Sequence, residues 1–420
     1  MEIEKAILVV KVGDKEGFEE LKLLSQTAGA KIEDVVFYRR ESINSAYFIS
    51  EGKIKELSEK ALKKQCDVII FNDDLTPTQL RNLEKEVPCK IIDRTTLILD
   101  IFAQHAYTKE GKIQVELAQL EYLLPRLVGR GEVLSRLGGG IGTRGPGETK
   151  LEIDRRKIRR RIYFLKEQLE EVKKEREIQR KNRKDIYQVA LVGYTNVGKS
   201  SLFNLLTRSN VKVENQLFAT LDPTVRKVRL ENNWEFLIID TVGFIKNLPP
   251  PLMTAFRATL EEVIYVDLIV HVIDISNPNF EKQIEVVEDL LEEIGVENKT
   301  IIRAYNKIDL LSKEKLSFLK KSLDFRPAVF ISVLKNQGID KLKNLIVKNL
   351  LKGTRHYTLK ISYDSWKDFQ KYSNKIYIEK QEFNEKEIKI IARIPKEYKR
   401  IYLQHIKREE RYGVLEHKRN

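Results

Sequence analysis

The sequence is short of the residues that carry redox or zinc chemistry. Among its 420 residues there are two cysteines, Cys66 and Cys89. Neither has metal-ligand spacing, and both fall within predicted α/β elements, so they read as buried structural thiols of a reducing compartment. The five histidines, His105, His271, His356, His405 and His417, are scattered. None pairs with cysteine or carboxylate as a zinc site requires. No apolar run reaches membrane-spanning length, and Met1-Glu2-Ile3-Glu4-Lys5 has no signal-peptide character. The expected location is the cytoplasm. Acidic residues are also in deficit, 62 against 76 Lys+Arg, for a net charge of +14 and a pI near 9.3. That balance favours a polyanionic partner, nucleic acid more than membrane. With 42% hydrophobic residues the chain can bury sizeable cores, and its length implies two to four domains.

The most specific stretch is Gly193-Tyr194-Thr195-Asn196-Val197-Gly198-Lys199-Ser200. It follows an apolar run, Val189 to Val192, that reads as a buried strand, and it precedes Ser201 to Leu206, which reads as a helix start. This is the phosphate-binding pattern G-x-x-x-x-G-K-S in its strand-to-helix setting. The glycines let successive N–H groups converge, and the helix N-terminus adds partial positive charge at the same place. Lys199 is expected to reach the β- and γ-phosphates, and the Ser200 hydroxyl to bind Mg²⁺.

Three further strand ends complete the pattern. Asp240-Thr241-Val242-Gly243 follows Phe236 to Ile239; Asp240 is the carboxylate on the Mg²⁺ side, acting through water, and Gly243 offers an N–H near the γ-phosphate. Asn306-Lys307-Ile308-Asp309 ends the run Thr300 to Tyr305. The Asp309 carboxylate can accept from both donors of the guanine edge, a pair that adenine lacks. Ser332-Val333-Leu334 follows Ala328 to Ile331, where a last base-contacting loop is expected. Four such pieces in this order resemble a GTPase of the P-loop class, which implies GTP as the substrate.

Before residue 110, strand-like runs (Ala6 to Val10, Ile32 to Tyr38, Tyr47 to Ser50, Asp67 to Phe71, Ile91-Ile92) are interspersed with helical ones (Glu16 to Leu24, Lys53 to Gln65, Gln79 to Val87 after the N-cap Thr76, and Thr96 to Ala106). This predicts a small α/β domain with a mostly parallel sheet. Between 113 and 184 two seam-forming helices are predicted. Ile113, Leu117, Leu120, Leu124 and Leu127 mark one; Ile158, Ile162, Leu165, Leu169 and Val172 mark the other. A short connector makes an antiparallel hairpin the economical arrangement. From Asp154 to Lys184 there are 14 Lys+Arg and 6 Asp+Glu, a net of +8. Arg155, Arg156, Arg159 and Arg160 cluster at one end and are candidate phosphate contacts. The connector, Gly138 to Lys150, is Gly-rich. It carries Arg144 and Lys150, with Arg136 just before it, and could approach an irregular RNA surface closely.

Taken together, GGGIGTRGPGETKLE-DRR, GYTNVGKS, FATLDPT, DTVGFI-LP and NKID resemble the HflX family of GTPases, in the Obg/HflX-like group, over almost the whole chain. The resemblance implies a Ras-like G domain, binding to the large ribosomal subunit through ribosomal RNA, and splitting of stalled or idle ribosomes. Large-subunit assembly and an RNA-tethered GTP/GDP switch are the alternatives. It places a switch threonine, Thr220, within Phe218-Ala219-Thr220-Leu221-Asp222, as a ligand of Mg²⁺ and γ-phosphate. Lys199, Thr220 and Gly243 are the expected catalytic groups. Phe244 stands where Ras-like proteins carry a water-orienting glutamine, so hydrolysis should be slow alone and ribosome-stimulated. Asn196 lies where some related GTPases help hold K⁺; a loop asparagine tolerating an unusual backbone angle is the other reading. The expected fold is α/β: an N-terminal α/β subdomain (1–110), a helical hairpin (111–186), the G domain (187–353) and a small α+β domain (354–420), as a monomer. In the α+β domain, strands are expected at Tyr357 to Ile361, Lys375 to Glu379 and Glu387 to Ile394, and helices at Ser365 to Tyr372 and Lys396 to Lys407.

Overall fold

The computed structural model describes residues 3–39, 43–127, 146–183, 186–208, 218, 223–230, 234–246, 260, 262–296, 299–323, 327–395, 399–402 and 406–410. The chain forms two compact units. One comprises Met1–Glu177, Val213–Asp222 and Ile245–Leu260; the other comprises Ile178–Lys212, Pro223–Phe244 and Glu261–Asn420.

In the first unit, β1 (Lys5–Lys11), β2 (Lys31–Tyr38), β3 (Val68–Phe71) and β4 (Lys90–Ile92) form a parallel sheet in the order β2-β1-β3-β4. Ala6 to Val10 are buried throughout, as expected for a parallel strand whose two faces are both covered. The crossovers are α1 (Lys15–Thr27), α2 (Glu51–Lys64) and α3 (Pro77–Glu86), and α4 (Arg94–His105) follows β4. Thr76 and Gln79 form a reciprocal capping box with Pro77 at the first helical position. Asp93 caps α4 through Thr96 N–H, and its other oxygen accepts from Tyr122, Arg126 and Leu75 N–H, tying three elements together. The stretch Tyr47 to Ser50, expected as a strand, is a turn. Phe48 has φ 69, which no strand allows, and the Asn44 side chain accepts from Ala46 N–H to close the bend.

The hairpin forms from α5 (Lys109–Arg126), capped by Thr108, and α6 (Pro146–Arg183). Ile113, Leu117 and Leu165 are buried together, with Leu120, Ile162 and Leu169 packed against them. Glu110 pairs with Arg176 and Glu121 with Lys166, an order that makes the helices antiparallel. The last part of the Gly-rich connector, Pro146 to Lys150, is already helical, with proline opening the first turn. The rest of the connector lies outside the described residues.

The second unit holds β5 (Gln188–Val192), α7 (Lys199–Thr207), β6 (Thr224–Arg229), β7 (Glu235–Asp240), β8 (Leu268–Asp274), α8 (Phe280–Glu293), β9 (Ile301–Asn306), α9 (Lys313–Ser322), β10 (Ala328–Phe330) and α10 (Ile339–Leu350). Its sheet runs β10-β9-β8-β5-β7-β6, parallel except for the edge strand β6. A separate antiparallel sheet, β12-β13-β11-β14, is built by β11 (Arg355–Ser362), β12 (Tyr377–Phe383), β13 (Glu387–Ile394) and β14 (Ile406–Glu410), with α11 (Trp366–Tyr372) beside it. Burial alternates along β13, so one face makes the core and the other faces water. Of the expected helix Lys396 to Lys407, Lys399–Tyr402 is helical (α12), whereas Ile406 and Lys407 open β14, which pairs with β11; 396–398 and 403–405 lie outside the described residues.

Candidate functional site

The site grows from the C-terminal ends of parallel strands β5, β7, β8 and β9. Gly198 caps α7 with φ 97, and a Cβ there would lie 2.6 Å from Asn306 Nδ2. Only glycine satisfies both the backbone angle and the space. Asn306 is 2% exposed. Its amide donates to Val197 carbonyl at 2.8 Å and accepts from Val333 N–H at 3.1 Å. One buried side chain therefore joins the phosphate-binding pattern to the loop beginning at Ser332, whose hydroxyl accepts from Lys335 N–H. Lys307 donates to Asn196 carbonyl at 2.9 Å and pairs with Asp274 at 2.7 Å. Asp309 sits in a single 3-10 turn, Ile308–Leu310.

The Lys199 ammonium is folded back on its own loop, donating to Gly193 carbonyl at 3.0 Å and Tyr194 carbonyl at 2.8 Å. Burial lowers its pKa from 10.5 to about 8, with Asp240 acting against the shift. The Ser200 hydroxyl donates to Asp240 at 2.7 Å. Thr241 donates to Leu191 carbonyl and so holds the end of β7 against β5. A Cβ on Gly243 would lie 2.8 Å from Thr195 Cγ2 and 3.1 Å from the Lys199 nitrogen; glycine lets the chain pass beside the ammonium. Phe244 is buried, and its backbone is bonded twice to the loop: Phe244 N–H to Gly193 carbonyl and Thr195 N–H to Phe244 carbonyl.

The structure thus brings together Gly193 to Ser200, Asp240 to Gly243, Asn306 to Asp309 and Ser332-Val333. Leu334 is 81% exposed. Phe218 is buried with φ 60, its ring 4.5 Å from that of Phe102 within the first unit. Ala219, Thr220, Leu221, Asp222, Arg136 and Arg144 lie outside the described residues; Lys150 falls in α6. Arg156, Arg159 and Arg160 are exposed and Arg155 is half-buried. Asn196 is exposed and has φ 60, which by itself accounts for an asparagine there. Two contributors were missed by sequence reasoning. Asp274, the partner of Lys307, had a signal: a carboxylate at the end of β8. The second role of Asn306 had none, because it joins loops far apart in the chain.

Cys66 and Cys89 are free and share the first unit's core, and burial pushes the Cys89 thiol up to about 11. His271 is buried in β8, which lowers it to about 3. Among the described residues no group of three or more His, Cys, Asp or Glu could hold a metal ion, and no helix is long and apolar enough to cross a membrane. The hydroxyl of Ser200 beside the carboxylate of Asp240 is an all-oxygen pair. It suits Mg²⁺ shared with phosphates and water.

The G-x-x-x-x-G-K-S loop between β5 and the N-terminus of α7, with Asp240 at the end of β7 and Asn306 to Asp309 at the end of β9, is the arrangement of a GTPase of the P-loop class. Family models agree: "GTP-binding GTPase N-terminal" matches residues 15–103, "GTP-binding GTPase Middle Region" residues 105–183, and "50S ribosome-binding GTPase" residues 188–307. GTPase HflX of Caldanaerobacter subterraneus subsp. tengcongensis is 47% identical over 401 residues, covering 94% of this chain and 92% of that one. GTPase HflX of Escherichia coli K12 is 42% identical over 364 residues, covering 85% of each. A solved GTP-binding protein from Sulfolobus solfataricus in complex with GDP is 29% identical, covers 83% of this chain and 99% of its own, and has a TM-score of 0.47. The chain belongs to the HflX family of GTPases. It is an enzyme that hydrolyses GTP, and Mg²⁺ is the ion that generally accompanies this fold.

Proposed function

We propose that the chain is a cytoplasmic, monomeric GTPase that binds the large ribosomal subunit and separates stalled or idle ribosomes into subunits, with GTP controlling binding and release. The observation that carries this reading is the match of residues 188–307 to ribosome-binding GTPases in a chain that also presents a basic helical hairpin. The hairpin, bounded at 111–186, and its Gly-rich connector are the proposed RNA-contacting part, with Arg136, Arg144, Lys150, Arg155, Arg156, Arg159 and Arg160 on phosphates. The G domain (187–353) would hold the nucleotide, the subdomain 1–110 is the proposed docking body, and 354–420 is the α+β domain.

Within the nucleotide site, Gly193 to Ser200 would cradle the phosphates. Phe218 to Asp222 would close on them through backbone and the Thr220 hydroxyl. Asn306 to Asp309 and Ser332 to Leu334 would hold guanine. Ser200 and Thr220 would hold Mg²⁺, with Asp240 assisting through water; the ion would supply positive charge to the phosphates. Lys199 would leave the carbonyls of Gly193 and Tyr194 for the γ-phosphate, and Gly243 N–H would orient it. Hydrolysis is attack of water on the γ-phosphorus, with departure of GDP. Phe244 has no group able to position that water, which supports slow turnover by the free protein and stimulation by the ribosome.

Sucrose-gradient sedimentation of intact ribosomes tests this. Added chain with GTP should convert them to separate subunits, and a non-hydrolysable analogue should leave the chain on the large subunit. Association with immature large subunits alone would favour an assembly role. Binding without a change in the ribosome profile would favour a regulatory switch. K⁺ near Asn196 is a further element of this reading; equal turnover in potassium and sodium salts, with ribosomes present, would remove it.

A further inference from the structure

The outward face of α6 carries a stripe that the hairpin packing does not use. Ile153, Arg156, Lys157, Arg160, Tyr163 and Phe164 follow one another at steps of three and one, which keeps them on one side of the helix. All are exposed. Tyr163 is 66% exposed and Phe164 47%. The opposite side holds Ile162, Leu165 and Leu169 against α5. Two rings kept partly in water forgo apolar burial; on a solvated face glutamate or lysine would serve as well.

Both rings are held in place. The Tyr163 hydroxyl is bonded to Glu167, which raises its pKa above that of a free phenol. Arg161 forks onto Glu116 of α5 at 2.6 and 2.8 Å, and its guanidinium lies 5.6 Å from the Phe164 ring centre. The charges beside the rings differ from those at the seam. Arg161, Lys166 and Arg176 are paired with Glu116, Glu121 and Glu110. Among the described residues Arg156, Arg159 and Arg160 have no such carboxylate.

We infer that this stripe is a stacking platform for unpaired RNA nucleotides, with bases on Tyr163 and Phe164 and phosphates on Arg156 and Arg160. The inference deepens the proposed ribosomal-RNA reading of the hairpin and rests on it. Lys157 pairs with Asp154, but exposed rings beside Arg156 and Arg160, which have no carboxylate partner among the described residues, fit a partner that carries flat apolar faces and negative charge at neighbouring positions. A duplex buries its base faces, so it would meet only the cations. An apolar protein partner would use the rings and leave the cations uncompensated.

The test uses the full chain with three probes: oligoadenylate, an RNA duplex of equal length and purified large subunits. Y163L/F164L keeps helix propensity and apolar bulk but removes the ring faces; its circular dichroism and melting temperature should match the parent. It should bind oligoadenylate about tenfold or more weakly, since stacking contributes roughly 1–3 kcal/mol per base. The salt slope and the duplex affinity should stay as in the parent. Y163W/F164W, which keeps rings, should bind oligoadenylate at least as well as the parent. R156Q/R160Q should flatten the salt slope on both RNAs, by about 0.7 per lost phosphate contact on single strands.

Equal oligoadenylate affinity of Y163L/F164L and parent overturns the inference, as does a parent that fails to bind oligoadenylate. Loss of large-subunit binding with oligoadenylate affinity intact assigns the rings to a protein contact, also against it. A ring-dependent dimer by light scattering assigns them to a second copy, again against it. A parent that binds oligoadenylate through its rings but ignores large subunits sinks the ribosomal reading instead.

Discussion

At the scale of single residues, each specificity of the site is assigned to one polar group. Asp309 is the proposed acceptor for both guanine donors. Asp309→Asn should shift preference from guanine toward xanthine nucleotides, because an amide accepts one hydrogen bond and offers a donor in place of the second acceptor. Titration of both nucleotides against both proteins checks this; unchanged GTP affinity would exclude Asp309 from base recognition. Lys199 makes a pH prediction with a definite sign. In the free protein burial holds it at about 8, and phosphates placed beside it would favour the ammonium form. Binding would then take up a proton above about pH 8, so GTP affinity should be level below that pH and fall above it, by at most tenfold per unit. Lys199→Met should bind more weakly and lack that step. A parent with no fall between pH 8 and 9 would place the lysine away from the phosphates.

At the scale of elements, the hairpin seam was legible because its apolar residues recur at steps of three and four, and that period has one structural solution. Leu165 is fully buried at the centre of that seam. Leu165→Ala should destabilise the first unit by about 2–5 kcal/mol, the usual range for a buried leucine, read by denaturant unfolding. GTP affinity should change little, since Gly193 to Ser200, Asp240 to Gly243, Asn306 to Asp309 and Ser332 to Leu334 belong to the second unit and of the proposed nucleotide contacts only Phe218 to Asp222 belong to the first. The strand ends that build the site were equally legible, for glycine, lysine and aspartate at fixed offsets after apolar runs have few alternative uses. Tyr47 to Ser50 was not legible. Its aromatic and small residues suit a strand, and only the positive φ of Phe48 shows otherwise. Lys396 to Lys407 mixes charged and apolar residues at a spacing that suits a helix, and pairing of Ile406 to Glu410 with β11 overrides it. The bridge through Asn306 was hidden for a different reason: it depends on which strands are neighbours in the sheet, and local pattern does not encode that.

At the scale of the molecule, the chain alternates between its two units. Residues up to Glu177 belong to the first, yet so do Val213–Asp222 and Ile245–Leu260, which lie within the stretch that otherwise builds the second. Phe102, buried in α4, has its ring partner in Phe218, and Arg94 donates to the carbonyl of Lys246. This interleaving has a consequence for vectorial synthesis. A nascent chain extended to Glu177 holds the whole parallel sheet and both arms of the hairpin but lacks those two later segments. The isolated fragment 1–177 should fold, bind more of an apolar dye than the same unit does in the full chain, and be cut faster by protease near Phe102. Extending it through residue 260 should restore protection. A fragment already as protected as the full chain would mean that the later segments add nothing to the first unit. With protection restored by extension, the first unit is completed only after the phosphate-binding loop has been translated, so the two units cannot mature one after the other as beads on a string.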